Sequence, residues 1–137
     1  MHLTRYTDYS LRVLLYLGLK GDGLVTIRET ANAYGVSRNH LLKVVSRLSS
    51  LGYVETAPGK SGGMRLARRP RDINLGRVVR EMEPNFHVVE CFDKETDACP
   101  ITSACALKDV LEEALERFFG VLDGYTLEDL LHDRSRL

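Results

Sequence analysis

The sequence predicts a mainly α fold with a small β-hairpin wing, a winged helix-turn-helix followed by a long dimerisation helix. Three features of the 137 residues carry this expectation. Two short amphipathic stretches are separated by a single Gly turn. Two β-prone runs flank a Gly-rich basic loop. Near the C-terminus, apolar residues recur at steps of three and four.

The elements follow in order. Thr7 to Leu19 reads as a helix with apolar positions Leu11, Leu14 and Leu15, closing at Gly18 to Gly21. Thr26-Ile27-Arg28-Glu29 has the capping-box pattern, in which the Thr hydroxyl and the Glu carboxylate each accept a free N–H of the first turn. It opens a helix to about Tyr34, and Gly35 supplies the turn. Ser37 caps the next helix, with Leu41, Leu42, Val45 and Leu48 expected inward and an end near Gly52. Strands are expected at Tyr53 to Thr56 and Met64 to Ala67, joined by the loop from Ala57 to Gly63. Asn74 caps a helix whose Leu75, Val78, Val79 and Met82 form one buried stripe. Phe86 to Pro100 has no helical period. From Ser103 to Asp123, Ala104, Leu107, Leu111, Ala114, Phe118, Val121 and Tyr125 keep a 3.5-residue period, the seam of a coiled coil. Thr126-Leu127-Glu128-Asp129 starts a short terminal helix.

Charge divides the chain. Residues 1–80 carry 14 Lys+Arg and 5 Asp+Glu, whereas residues 81–137 carry 5 and 14. One end is suited to a polyanion and the other is not. The helix beginning at Ser37 offers Ser37, Arg38, Asn39, His40, Lys43 and Arg47 on its N-terminus and outer face, with Arg28 on the preceding helix. Arg and Asn can bond guanine and adenine edges in a major groove, and a helix N-terminus can hold a phosphate. The hairpin tip adds Lys60, Ser61, Gly62, Gly63 and Arg65, where glycines permit close approach and a basic side chain can enter a minor groove; Arg68, Arg69 and Arg71 extend the positive surface. The ordered set predicts binding to double-stranded DNA.

Cys91, Cys99 and Cys105 are the only cysteines, spaced C-x7-C-x5-C in a segment without periodicity. An odd count in a chain without a signal-peptide core or an apolar span predicts a cytoplasmic protein with free thiols rather than a disulfide framework. Convergent soft thiolates indicate a metal or cluster site. Two fillings remain open: zinc with a fourth ligand such as His87, which would make a zinc-stapled interaction module, or an iron–sulfur cluster. No Gly-rich nucleotide loop follows a strand, so no enzyme activity is expected. The likeliest boundary falls at Glu83-Pro84-Asn85, dividing the chain into a DNA-binding domain (1–83), a cysteine-containing cluster-binding loop (84–106), and a dimerisation helix with a C-terminal helix (107–137).

Leu3-Thr4-Arg5-Tyr6-Thr7-Asp8-Tyr9, Tyr34-Gly35-Val36-Ser37-Arg38-Asn39-His40, Gly59-Lys60-Ser61-Gly62-Gly63-Met64-Arg65-Leu66 and the cysteine trio together resemble the bacterial winged-helix iron–sulfur repressors. The likeness runs over almost the whole chain and is nearest to the nitric-oxide-sensing branch. It implies a homodimer with crossing long helices, and a [4Fe-4S] cluster (or a smaller [2Fe-2S] one) held by the three cysteines. It also implies Asp8 of the partner subunit as fourth ligand and derepression when nitric oxide arrives. The cluster-biogenesis branch uses a His shortly after the last cysteine. Ala106, Leu107 and Lys108 stand there instead. The x7 interval resembles the iron-regulating branch, which keeps iron as a second signal.

Overall fold

The computed structural model describes residues 1–132. Six α-helices and one hairpin follow in chain order: α1 (Arg5–Lys20), α2 (Ile27–Tyr34), α3 (Arg38–Ser50), β1 (Val54–Ala57), β2 (Gly63–Leu66), α4 (Leu75–Met82), α5 (Ala106–Asp123) and α6 (Leu127–His132). Short 3-10 turns lie at Pro70–Asp72, Glu90–Phe92 and Thr102–Ala104. The arrangement is the mainly α, winged fold that the sequence predicts.

Caps set the helix starts. The Thr26 hydroxyl accepts from the Glu29 N–H (3.1 Å) and the Asn74 side chain accepts from the Arg77 N–H (3.0 Å). The first helix begins earlier than its apolar period, because Thr4 accepts from the Thr7 N–H (3.3 Å). Thr4 is itself held. Its backbone N–H (2.8 Å) and hydroxyl (2.7 Å) both donate to the Glu83 carboxylate, as does the buried Thr7 hydroxyl. This clasp joins the start of α1 to the residue that ends α4.

The core gathers Val13, Leu14 and Leu17 of α1, Leu41, Val44, Val45 and Leu48 of α3, and Tyr53, Met64, Ile73 and Val78. All four expected α4 positions are buried. Leu42 is not inward as expected; Val44 takes that place and Leu42 is 43% exposed. Two overlapping apolar spacings run through Leu41 to Leu48, and packing on α1 selects the one containing Val44.

The hairpin is antiparallel, pairing Val54 with Leu66 and Ala57 with Gly63. Val25 extends it by one bridge, its N–H donating to Met64 O (2.9 Å) and its carbonyl accepting from Met64 N–H (2.8 Å). Beyond α5 the chain turns back: Leu75 N–H donates to Tyr125 O (3.0 Å), Leu127 N–H to Ile73 O (2.8 Å), and Leu127 enters the core. Thus α6 packs against α1 in the first lobe although it follows the long helix; the last residues of the expected 107–137 unit, 133–137, lie outside the described residues.

The long helix starts at Ala106 rather than Ser103, since 102–104 form a 3-10 turn and Cys105 occupies the N-cap. It meets α4 through Phe119, which is buried. The Arg80 guanidinium lies 4.1 Å from the Phe119 ring centroid and bonds both oxygens of Asp123. Phe86 stacks edge-on to Phe119 at 4.7 Å. The predicted seam is uncovered in the single chain: Leu107 is 64%, Val121 62% and Tyr125 50% exposed. The division of charge follows the fold in part: the basic residues of the first half lie on the α1–α4 lobe and most acids of the second half on the cysteine segment and α5, while Glu128 and Asp129 of α6 sit on the first lobe.

Candidate nucleic-acid interface and cysteine segment

Gly35 adopts the left-handed conformation (φ 63°, ψ 35°), and the Val36 N–H returns to Ala31 O (3.0 Å), which turns α2 into α3. The buried stripe of α3 faces the core, so Ser37, Arg38, Asn39, His40, Lys43 and Arg47 are exposed, together with Arg28 on α2. Ser37 sits at the N-cap position but makes no side-chain cap bond, leaving its hydroxyl free for an outside partner. The first turns of α1 flank this surface. The Tyr6 hydroxyl donates to Lys43 O (3.2 Å), and the Tyr9 ring lies 6.4 Å from His40.

At the hairpin tip Lys60 and Ser61 are exposed, while Gly62 and Gly63 are half-buried. The glycines have an intramolecular reason as well as an interfacial one. A Cβ on Gly62 would stand 2.1 Å from Ala57 O and 2.8 Å from Pro58 C; one on Gly63 would stand 2.8 Å from Val25 O. These are backbone atoms that cannot move aside cheaply. Gly62→Ala is therefore expected to open the tip. Hydrogen-exchange protection of the strand amides should fall, and duplex-DNA affinity should drop roughly tenfold, the scale of one lost contact set.

The outer basic residues divide on inspection. Arg65 pairs across the ladder with Glu55. Arg68 donates to Leu51 O (2.8 Å) and Gly52 O (3.0 Å) and covers the Tyr53 ring at 4.4 Å, so it serves the core rather than an outer surface. Arg69 pairs with Asp72 (2.9 Å), and Arg71 is exposed.

The cysteine segment is folded by its own acids. Asp93 accepts from the Glu95 N–H (3.0 Å), Glu90 from the Ala98 N–H (3.2 Å), and Asp97 from both the Cys99 N–H (3.0 Å) and the Thr102 hydroxyl (3.0 Å). Cys91 and Cys105 are half-buried, Cys99 is exposed, and all three thiols are free. Burial pushes the Cys91 thiol up, and Asp97, Cys105 and Cys99 add to the shift. Cys91 opens onto a cleft of about 760 Å³ shared with Arg80, Glu83, Phe86, Lys108 and Phe119. His87 faces Asp93 (3.7 Å), and Asp8 pairs with Arg12 (2.8 Å) within α1. Among the described residues, no three His, Cys, Asp or Glu side chains of one chain converge to hold a single metal ion. No local sequence pattern marks the Glu83 clasp or the Arg80–Asp123 pair, whose partners lie 79 and 43 positions apart.

A Gly-turned helix pair with a basic outer face, followed by a basic hairpin, defines a winged-helix DNA-binding regulator. Residues 3–133 match the Rrf2 family, described as an iron-dependent transcriptional regulator. The chain belongs to that family, whose members are DNA-binding regulators rather than enzymes. It is 52% identical over 136 residues to the HTH-type transcriptional regulator NsrR of Bacillus subtilis, covering 98% of this chain and 93% of that protein. It is 51% identical over 138 residues to the NsrR of Geobacillus kaustophilus, covering 100% and 94%. Among solved structures, T. potens IscR superposes with a TM-score of 0.78 at 27% identity, covering 97% of this chain and 88% of that one. CymR (YrzC), the global cysteine regulator of B. subtilis, gives 0.71 at 27% identity, covering 95% of each. Among the described residues no helix is long and apolar enough to cross a membrane.

Proposed function

We propose that this DNA-binding repressor is a homodimer that responds to nitric oxide through a [4Fe-4S] cluster held by Cys91, Cys99 and Cys105, with Asp8 of the partner subunit as fourth ligand. The observation that carries the reading is the placement of three unbonded thiols. They occupy one segment of loops and short 3-10 turns between the winged lobe and the N-terminus of α5, the helix whose apolar seam is uncovered. The donor set fits. Three soft thiolates suit iron–sulfur binding, and one iron is left for a different ligand. Burial and Asp97 disfavour a bare Cys91 thiolate, so a cation there would stabilise it. Relatives named NsrR, 46–52% identical, support the choice of branch within the family.

In this reading residues 1–83 bind the operator, 84–106 hold the cluster, and α5 pairs the subunits. Arg28, Ser37, Arg38, Asn39, His40, Lys43 and Arg47 face the duplex from the helix pair, and Lys60, Ser61, Gly62, Gly63 and Arg65 from the wing. When bound, the cluster supplies iron sites that react with nitric oxide. Cys105 is the N-cap of α5, so a ligand bond there fixes where the long helix begins. Arg80, Asp123, Phe119 and Phe86 tie α5 and the cysteine segment to α4. Asp8, in the first turn of α1, would tie the partner's lobe to the same place through a carboxylate, a weaker ligand for iron than a thiolate. Its release would let the DNA-competent arrangement lose population, and a coupling of ~1–3 kcal/mol changes operator affinity about 5- to 150-fold.

The family's description as iron-dependent, with the C-x7-C spacing, favours iron status as the second reading. One experiment separates them: anaerobically purified protein on a duplex operator, titrated with nitric oxide and, separately, with an iron chelator. Nitric oxide is expected to release the DNA. Release by the chelator alone would transfer the assignment to iron sensing.

A further inference from the structure

Resting on the DNA-binding reading of α3, we propose that Leu42 is a sequence-reading residue whose side chain meets the C5-methyl group of a thymine in the major groove. Its neighbours on the inner face of α3 (Leu41, Val44, Val45 and Leu48) are at most 3% exposed, whereas Leu42 is 43% exposed. It is an apolar side chain on the outer surface of this helix. Residues three and four apart share a helix face, so Leu42 stands over Arg38 and Asn39 on one side and Ser46 on the other. It lines a shallow depression with Tyr6, Lys43, Ser46, Arg47 and Ser50. Tyr6 is fixed at its edge by the bond from its hydroxyl to Lys43 O.

The chemistry of that depression selects its occupant. Arg38, Lys43 and Arg47 around the leucine favour a polyanion. Along the floor of a major groove the other base edges present donors and acceptors, and the thymine methyl is the apolar group. A leucine there gains contact area from thymine. Against cytosine, adenine or guanine it would cover a donor or acceptor without pairing it, which costs affinity. One side chain therefore attracts one base and rejects the others.

The test uses a duplex selected from a randomised library by anaerobically purified wild-type protein. Each thymine of one half-site is replaced in turn by deoxyuridine, which lacks only the methyl group. Wild type and Leu42→Ala are compared on every duplex, with thermal melting confirming that the variant is folded. At one thymine, deoxyuridine should weaken wild-type binding about fourfold, the scale of one buried methyl, and leave Leu42→Ala unaffected. Equal effects on both proteins at every thymine would overturn the role of Leu42 while leaving the DNA interface intact. Failure to select any duplex would overturn the interface and the leucine's part in it together.

Discussion

Cys99→Ala is expected to yield a folded, colourless protein with almost no iron or sulfide per chain, in which nitric oxide no longer alters DNA binding. Cys99 is the exposed member of the trio. Its local structure comes from its backbone N–H to Asp97, a bond that alanine keeps. Surface truncations of this kind change stability by about 0.5 kcal/mol or less. Loss of the visible chromophore with unchanged far-ultraviolet circular dichroism therefore reports ligation and not folding. The half-buried Cys91 and Cys105 would confuse the two. Because one chain supplies three thiols, removing one takes away a third of its sulfur donors, and the response in operator affinity of about 5- to 150-fold should vanish with the cluster. A variant that retains normal iron and sulfide would remove Cys99 from the ligand set.

The second large effect is expected at Glu83. Burial opposes its charge, but donation from Thr7 and Thr4 outweighs burial and holds the carboxyl below its ordinary range. Glu83→Ala leaves the Thr4 N–H without its acceptor and the buried Thr7 hydroxyl with only the Thr4 hydroxyl, 3.2 Å away. Hydrogen bonds to a charged group contribute about 1.5–3 kcal/mol each and are not additive, so a loss of about 2–4 kcal/mol is expected. For a chain of this size that is a fall in Tm of roughly 6–12 °C. The pH dependence follows from the direction of the shift. A carboxyl lowered by folding stabilises the folded state above its unfolded value near ~4.3, and that contribution is lost as pH falls through the folded value. Denaturant melts of wild type and variant should therefore differ most near neutrality and converge on the acid side. A gap that stays constant with pH would show that the clasp does not depend on an ionised Glu83. Glu83→Gln, which keeps one acceptor oxygen, should recover part of the stability and none of the pH dependence.

Much of the fold was legible because its signals are local. The Thr26 hydroxyl cap, the Asn74 cap, the Gly35 turn and the α4 stripe each need only a few consecutive residues and stand as read, although the Glu29 carboxylate of the capping box bonds Tyr16 and Lys20. The wing was legible from its glycines, though the backbone clashes at Gly62 and Gly63 had no trace in the chain. Leu42 was misplaced because the spacing of Leu41, Leu42, Val45 and Leu48 satisfies a helical stripe nearly as well as the spacing through Val44. Charge counting over-assigned Arg68 to the outer surface, since composition records a charge and not its partner; the Leu51 and Gly52 carbonyls engage it. Of the acids in the cysteine segment, Asp97 opposes a Cys91 thiolate. Their other work, accepting the backbone N–H groups of a loop without helices, depends on geometry alone. Contacts across long separations, such as Glu83 with Thr4 or Arg80 with Asp123, leave no local pattern at all.

The uneven distribution of basic and acidic residues along the chain has a kinetic consequence. The subunit is electrically neutral as a whole, but 14 of its 19 Lys and Arg fall in residues 1–80 and 14 of its 19 Asp and Glu in residues 81–137. In the field of a nucleic acid such a body experiences a torque before it makes any contact, turning the winged lobe forward and the acidic end away. Productive collisions are enriched without a net charge that would hold the protein indiscriminately along the duplex. Raising the ionic strength shortens the screening length to a few ångströms and removes this alignment, so the on-rate is the quantity most exposed to salt.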